Sequence, residues 1–127
     1  MNSTERRDLI VEHKFLCSRC SSEAATVQLY STDRGVELVR SSFTSRLSMP
    51  IASDTLSSLR LTISTGDEQA LYDFDLEVAC FYCPECRASY CGAHWARWDV
   101  FDDDDGFVWH DSIRGRCPNA HQRMLED

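Results

Sequence analysis

Eight cysteine and histidine residues fall into four short pairs along this chain: Cys17-Ser-Arg-Cys20, Cys83-Pro-Glu-Cys86, Cys91-Gly-Ala-His94 and Cys117-Pro-Asn-Ala-His121. Thiolate sulfur and imidazole nitrogen are the donors that tetrahedral zinc takes, and gaps of two or three residues let one turn present both members of a pair to one ion. Two four-ligand zinc sites use all eight. Histidine among the cysteines favours zinc over an iron–sulfur cluster, whose ligands are normally thiolates. A site closed by four protein donors leaves no position for water or substrate, so both zinc ions are expected to be structural.

Spacing alone leaves the pairing open. If neighbouring pairs combine, the sites are Cys17/Cys20/Cys83/Cys86 and Cys91/His94/Cys117/His121, with four and two thiolates. If alternate pairs combine, the sites are Cys17/Cys20/Cys91/His94 and Cys83/Cys86/Cys117/His121, each with three thiolates and one imidazole. The second, cross-braced version spreads negative charge evenly and is the favoured expectation.

The segment CPECRASYCGAHW bears on this choice. It resembles the middle of the zinc fingers of stress-associated proteins through Cys83, Cys86, Tyr90, Cys91, Gly92, His94 and Trp95. That resemblance implies a cross-braced two-zinc arrangement and, at the level of function, a link to ubiquitin handling. It covers about a dozen residues. In that family the first pair lies close upstream and the closing pair runs His then Cys, unlike the Cys117 and His121 order here. Overall the chain is also similar to small bacterial two-zinc proteins, a likeness that brings no function with it.

The remaining elements must hold these pairs. VEHKFLC reads as a strand delivering the first pair, and TVQLY and VELVR flank Ser31–Gly35 as a hairpin. Residues 41–58, rich in serine and containing Pro50, read as an irregular loop with room for a short helical turn. Leu59, Leu61 and Ile63 alternate as in a strand. Tyr72, Phe74, Leu76, Val78 and Cys80 alternate with Asp73, Asp75 and Glu77, which predicts a strand with Cys80 on its buried face. WDVF and FVWH predict a Trp-rich hairpin carrying Trp95, Trp98, Phe101, Phe107 and Trp109. Asn119 is placed to cap a short helix over AHQRMLED, with His121 in its first turn. A knuckle, a hairpin and a ligand-bearing helix make a treble-clef plan. The fold class expected is therefore a small metal-bound α+β domain, mostly β. One domain spans residues 1–127: the first knuckle at 17–20, a β-rich insertion over 21–82, and the other ligands with the hairpin over 83–121.

Other polar residues bring less chemistry. His13 and His110 stand outside the pair spacing and read as surface or hydrogen-bonded side chains. The run Asp102–Asp105 before Gly106 fails the calcium-loop pattern, since position one would be Phe101 and position twelve Ser112. It reads as a polar hairpin tip.

Composition narrows the function classes. Seven cysteines among 127 residues, an odd number without a recognisable export signal, point to metal binding in a reducing cytoplasm rather than to disulfides. A net charge of −8, made more negative by coordinated thiolates, disfavours nucleic acid as a partner. No apolar run approaches the roughly 18 residues of a membrane span. The expected function is a non-enzymatic module with two zinc ions that binds a protein partner, with Trp98 and Trp109 as candidate contacts. The alternatives are a ubiquitin-ligase-like adaptor, or a metal- or thiol-dependent enzyme if one site is open.

Overall fold

A computed structural model describes residues 7–42, 45–104 and 106–126. Strands β1 (Arg7–Leu16), β2 (Glu23–Thr32), β3 (Gly35–Ser42) and β4 (Arg46–Ile51) form an antiparallel sheet in the order β1-β2-β3-β4. The β2–β3 hairpin forms where the sequence places it, with Thr32 paired to Gly35. Strand β4 lies inside the segment read as an irregular loop. Its serines conceal the alternation of half-buried Leu47, Met49 and Ile51, and Pro50 is tolerated because β4 is an edge strand.

Helix α1 (Ser53–Thr65) replaces the strand expected at Leu59–Ile63. Two periods compete there. Leu56, Leu59 and Ile63 lie three and four apart on the packed face, whereas Leu61, which the alternating reading needs inside, is 64% exposed. Gly66 closes the helix in the left-handed region, at φ 69°, with its N–H on the Ile63 carbonyl. A second helix, α2 (Glu68–Phe74), is capped by the Asp67 carboxylate, which accepts from Ala70 N–H at 3.0 Å.

Helix α2 and a run of turns also replace the strand predicted over 72–80. Leu71 is fully buried and Phe74 is exposed, so helical spacing rather than alternation governs the apolar residues. Turns carry the chain from Asp75 to Phe81. Cys80 is nevertheless fully buried, and that burial pushes its thiol up to about 11.

A two-stranded ribbon, β5 (Tyr82–Cys83) with β6 (Ala88–Ser89), follows. Strands β7 (Ala96–Asp104), β8 (Phe107–Arg116) and β9 (Gln122–Glu126) make a third antiparallel sheet in sequence order. The predicted hairpin is β7–β8. Its tip residue Asp105 lies outside the described residues, and Gly106 follows at φ 84°. The expected C-terminal helix is strand β9: Arg123 and Leu125 alternate inward and the backbone pairs with β8, so Asn119 caps nothing and no treble-clef helix forms here.

One contiguous buried cluster joins the parts, with Phe15, Val27, Leu29 and Leu38 from the first sheet, Leu59, Ile63 and Leu71 from the helices, and Val78–Cys83, Trp95 and Leu125 from the rest. Among the described residues no helix is long and apolar enough to cross a membrane. The molecule is small and mostly β.

Candidate metal centres

The four pairs occupy four turns. Cys17 and Cys20 sit in the β1–β2 turn, where Cys17 N–H bonds the Ser22 carbonyl and Ser21 N–H bonds the Cys17 carbonyl, both at 2.8 Å. Cys83 ends β5, and Cys86 lies in the β5–β6 turn. Cys91 and His94 form the turn from β6 to β7, closed by His94 N–H on the Cys91 carbonyl. Cys117 and His121 form the β8–β9 turn, with Cys117 N–H on the His121 carbonyl at 2.9 Å.

Alternate pairs meet. Cys17, Cys20, Cys91 and His94 form one group and Cys83, Cys86, Cys117 and His121 the other, with the four donor atoms of each group within 4.8 Å of one another. In the first group the His94 Nδ1 lies 3.3 Å from both Cys17 Sγ and Cys91 Sγ, and Cys20 Sγ is 3.6 Å from Cys91 Sγ. In the second, His121 Nδ1 lies 3.6, 3.3 and 3.5 Å from the sulfurs of Cys83, Cys86 and Cys117, and Cys86 Sγ is 3.7 Å from Cys117 Sγ. A regular tetrahedron built on metal–sulfur bonds of about 2.3 Å and metal–nitrogen bonds of about 2.0 Å has edges of about 3.5–3.8 Å. The observed separations fit that figure to within a few tenths of an ångström, and the sulfurs stand far outside disulfide distance. Both groups can therefore hold a metal ion.

The backbone amides of Arg19 and of Asn119 point at Cys17 Sγ and Cys117 Sγ at 3.4 and 3.3 Å, as expected of knuckles that stabilise thiolate. Burial opposes ionisation of Cys17, but amide hydrogen bonds led by that of Cys91 outweigh it and bring the thiol down to about 6. Cys86 also falls to about 6. Burial again opposes, and the Asn119 amide, the Tyr90 hydroxyl and His121 prevail. Their fellow Cys83 is driven up to about 12, by burial and by neighbouring thiols. In the first group Cys91 is likewise raised, by burial and by the neighbouring thiols of Cys20 and Cys17, so each group places a thiol inclined to ionise beside one that resists it.

Asn119 is the residue the sequence reading misplaced. Its Nδ2 donates to Cys86 Sγ at 3.1 Å and lies 3.4 Å from the Tyr90 hydroxyl, while its Oδ1 accepts from Arg19 at 3.5 Å. One side chain therefore connects the knuckles of both groups. Ser18 N–H on the Ser89 carbonyl, 2.8 Å, makes a second link between the first knuckle and β6. His13 and His110 take no part in either group. His13 Nε2 lies 2.7 Å from Glu68, whose other oxygen accepts from buried Ser89, and His110 Nε2 lies 3.0 Å from Asp99. Trp95, next to His94, is buried and donates its indole N–H to the Phe81 carbonyl at 3.0 Å.

Arg123 was also invisible as a site residue. It is buried two positions after His121, and its guanidinium donates to the carbonyls of Leu76, Ala79, Tyr82 and Met124. Arg40, equally buried, donates to the Glu77 carbonyl at 2.8 Å. Between them they fix the turns that feed the chain into Cys83.

Every non-glycine residue with positive φ among those described sits in a knuckle: Ser21 at 65°, Arg87 at 54° and Ala120 at 68°. The left-handed region costs an L-residue about 1–2 kcal/mol, against an entropy cost of about 0.5–1 kcal/mol for glycine. Ser21→Gly is therefore expected to stabilise the metal-loaded protein by roughly 0.5–1 kcal/mol, read as a rise in the urea midpoint at unchanged slope. No change would mean that the tight knuckle stores no strain at Ser21.

A family match runs over residues 7–127, from the first residue of β1 through both groups and the hairpin. The chain belongs to the family "Domain of unknown function (DUF8328)". Neither a curated protein nor a solved structure matches it. Both clusters and the β7–β8 ribbon are thus features of a DUF8328 domain, and no match supports the resemblance to the zinc fingers of stress-associated proteins.

Proposed function

We propose that this domain is a non-enzymatic protein-interaction module held together by two structural zinc ions in a cross-braced arrangement. The observation that carries the metal reading is the completeness of both groups: three sulfurs and one imidazole nitrogen each, at tetrahedral spacing. That donor set suits zinc among the common divalent metals, and four protein donors leave the ion no open position for catalysis. Cys17–Cys20 with Cys91–His94 would tie the four-stranded sheet to the start of β7, and Cys83–Cys86 with Cys117–His121 would tie the β5–β6 ribbon to the β8–β9 turn.

Support for the interaction half comes from the hairpin. Trp95 is spent on the core at 4% exposure, whereas Trp98 and Trp109 keep 37% and 46% of their surface in solvent. Large exposed aromatics of this kind are the residues that dominate protein interfaces.

Native mass spectrometry with elemental analysis tests the metal half. The expected result is two zinc ions per chain, with loss of near-UV circular dichroism on chelation because the metal supplies folding energy. One ion, or iron, overturns it. Crosslinked capture of a native partner tests the other half: Trp98→Ser with Trp109→Ser should abolish capture and leave melting unchanged, while collapse of the fold would assign both residues to the core.

A further inference from the structure

The outer half of the β7–β8 hairpin stands apart from the third strand. Strand β9 ends opposite Ile113, so from Val100 to the tip the sheet has only two strands among the described residues. An isolated two-stranded ribbon gains little stability in water, yet this one exposes Phe101, Phe107, Val108 and Trp109. A partner surface accounts for apolar groups so placed.

The chemistry of one face says which. Alternation puts Trp98, Val100 and Asp102 on the same side of β7, and Trp109 is the direct cross-strand partner of Asp102. The register slips between Val100 and Phe101 and skips Asp111, which hydrogen-bonds Asp102. Two carboxyl groups are therefore pressed together beside an exposed indole. The hydrogen bond from Asp111, with the repulsion between the two carboxylates behind it, raises the pKa of Asp102 from its ordinary value. From residue 99 to 111 the sequence has six aspartates and no lysine or arginine.

Resting on the interaction reading above, we propose that this face docks an arginine-rich segment of a partner protein, with guanidinium groups over Trp109 and against Asp102 and Asp111. A guanidinium stacks on an indole and pairs with carboxylates in the same plane, which an ammonium cannot do. The chain's net charge of −8 draws such a segment in and repels a second copy, nucleic acid or an anionic membrane.

The test is isothermal titration of the zinc-loaded full chain with a synthetic alternating Arg-Gly peptide, set against Lys-Gly, Gln-Gly and Glu-Gly peptides. Arg-Gly should bind most tightly. Trp109→Ser should weaken it roughly 3- to 30-fold, the span of a cation–π contact, and Trp109→Phe should restore part of the loss. The double variant Asp102→Asn with Asp111→Asn should weaken it about tenfold. Metal content and Trp95 near-UV signal, unchanged in each variant, exclude misfolding as the cause. Equal affinity for Lys-Gly and Arg-Gly with no effect of Trp109→Ser would reduce the attraction to bulk charge and overturn the proposal. No Arg-Gly binding, or a Trp109-dependent dimer in sedimentation, would overturn it too. If Arg-Gly fails while Trp109-dependent capture of a native partner persists, the interaction reading stands and only the cationic partner falls.

Discussion

A Cys86→Ser variant is expected to carry one metal ion instead of two and to lose its folded population at room temperature. Zinc contributes of order 10 kcal/mol or more per structural site in peptide systems, whereas the whole net stability of a domain is about 5–15 kcal/mol. Serine keeps the shape of the side chain and removes the thiolate. It also strands the Asn119 amide and the Tyr90 hydroxyl, which both turn toward Cys86. Native mass spectrometry with a thermal melt reads both consequences, and His121→Ala should match it. Cys80→Ala supplies the control, because Cys80 is buried and belongs to neither group: two ions should remain. Two ions and an unshifted melt in Cys86→Ser would remove Cys86 from the ligand set.

The second large effect comes from a residue that binds no metal. Arg123→Met is expected to destabilise the zinc-loaded protein by about 3–5 kcal/mol in urea unfolding, because a buried hydrogen-bonded charge is exchanged for a side chain that satisfies none of its acceptors. The carbonyls of Leu76, Ala79 and Tyr82 all lose their donor. Arg123→Lys should recover only a fraction, since one ammonium cannot span carbonyls that a planar fork reaches together. A change below about 1 kcal/mol would mean that water replaces the guanidinium without loss.

The contrast between these two residues explains what could be read in advance. Cysteine and histidine pairs announce themselves by type and local spacing, so the eight residues that the structure gathers into two groups were legible, and even charge distribution favoured the alternate grouping that the structure shows. The β2–β3 and β7–β8 hairpins were legible for a similar reason: turn residues and alternating apolar residues lie next to each other in sequence. Helices α1 and α2 were not, because Leu59, Leu61 and Ile63, and likewise Tyr72 through Cys80, satisfy a period of two as well as a helical period. Only the core underneath decides, by taking Leu59, Ile63 and Leu71 and leaving Leu61 and Phe74 outside. Strand β9 was obscured because half of its inward face is an arginine. A buried cation satisfied by carbonyls from a segment some forty residues earlier leaves no trace in hydropathy. Asn119 has the right chemistry for a helix cap and serves a thiolate instead.

The interleaved grouping has a consequence for the unfolded chain meeting zinc. Cys83, Cys86, Cys91 and His94 lie within a dozen residues and are a complete donor set by themselves. The native first group instead closes spans of 71 and 77 residues. Each doubling of a loop adds about 0.6 kcal/mol to its closure cost, so metal offered before the sheets form is captured faster and more cheaply by the local set. That capture takes two donors from each native site at once. If zinc is the ion these groups hold, capture by the local set is therefore expected to compete with the native grouping while the chain folds.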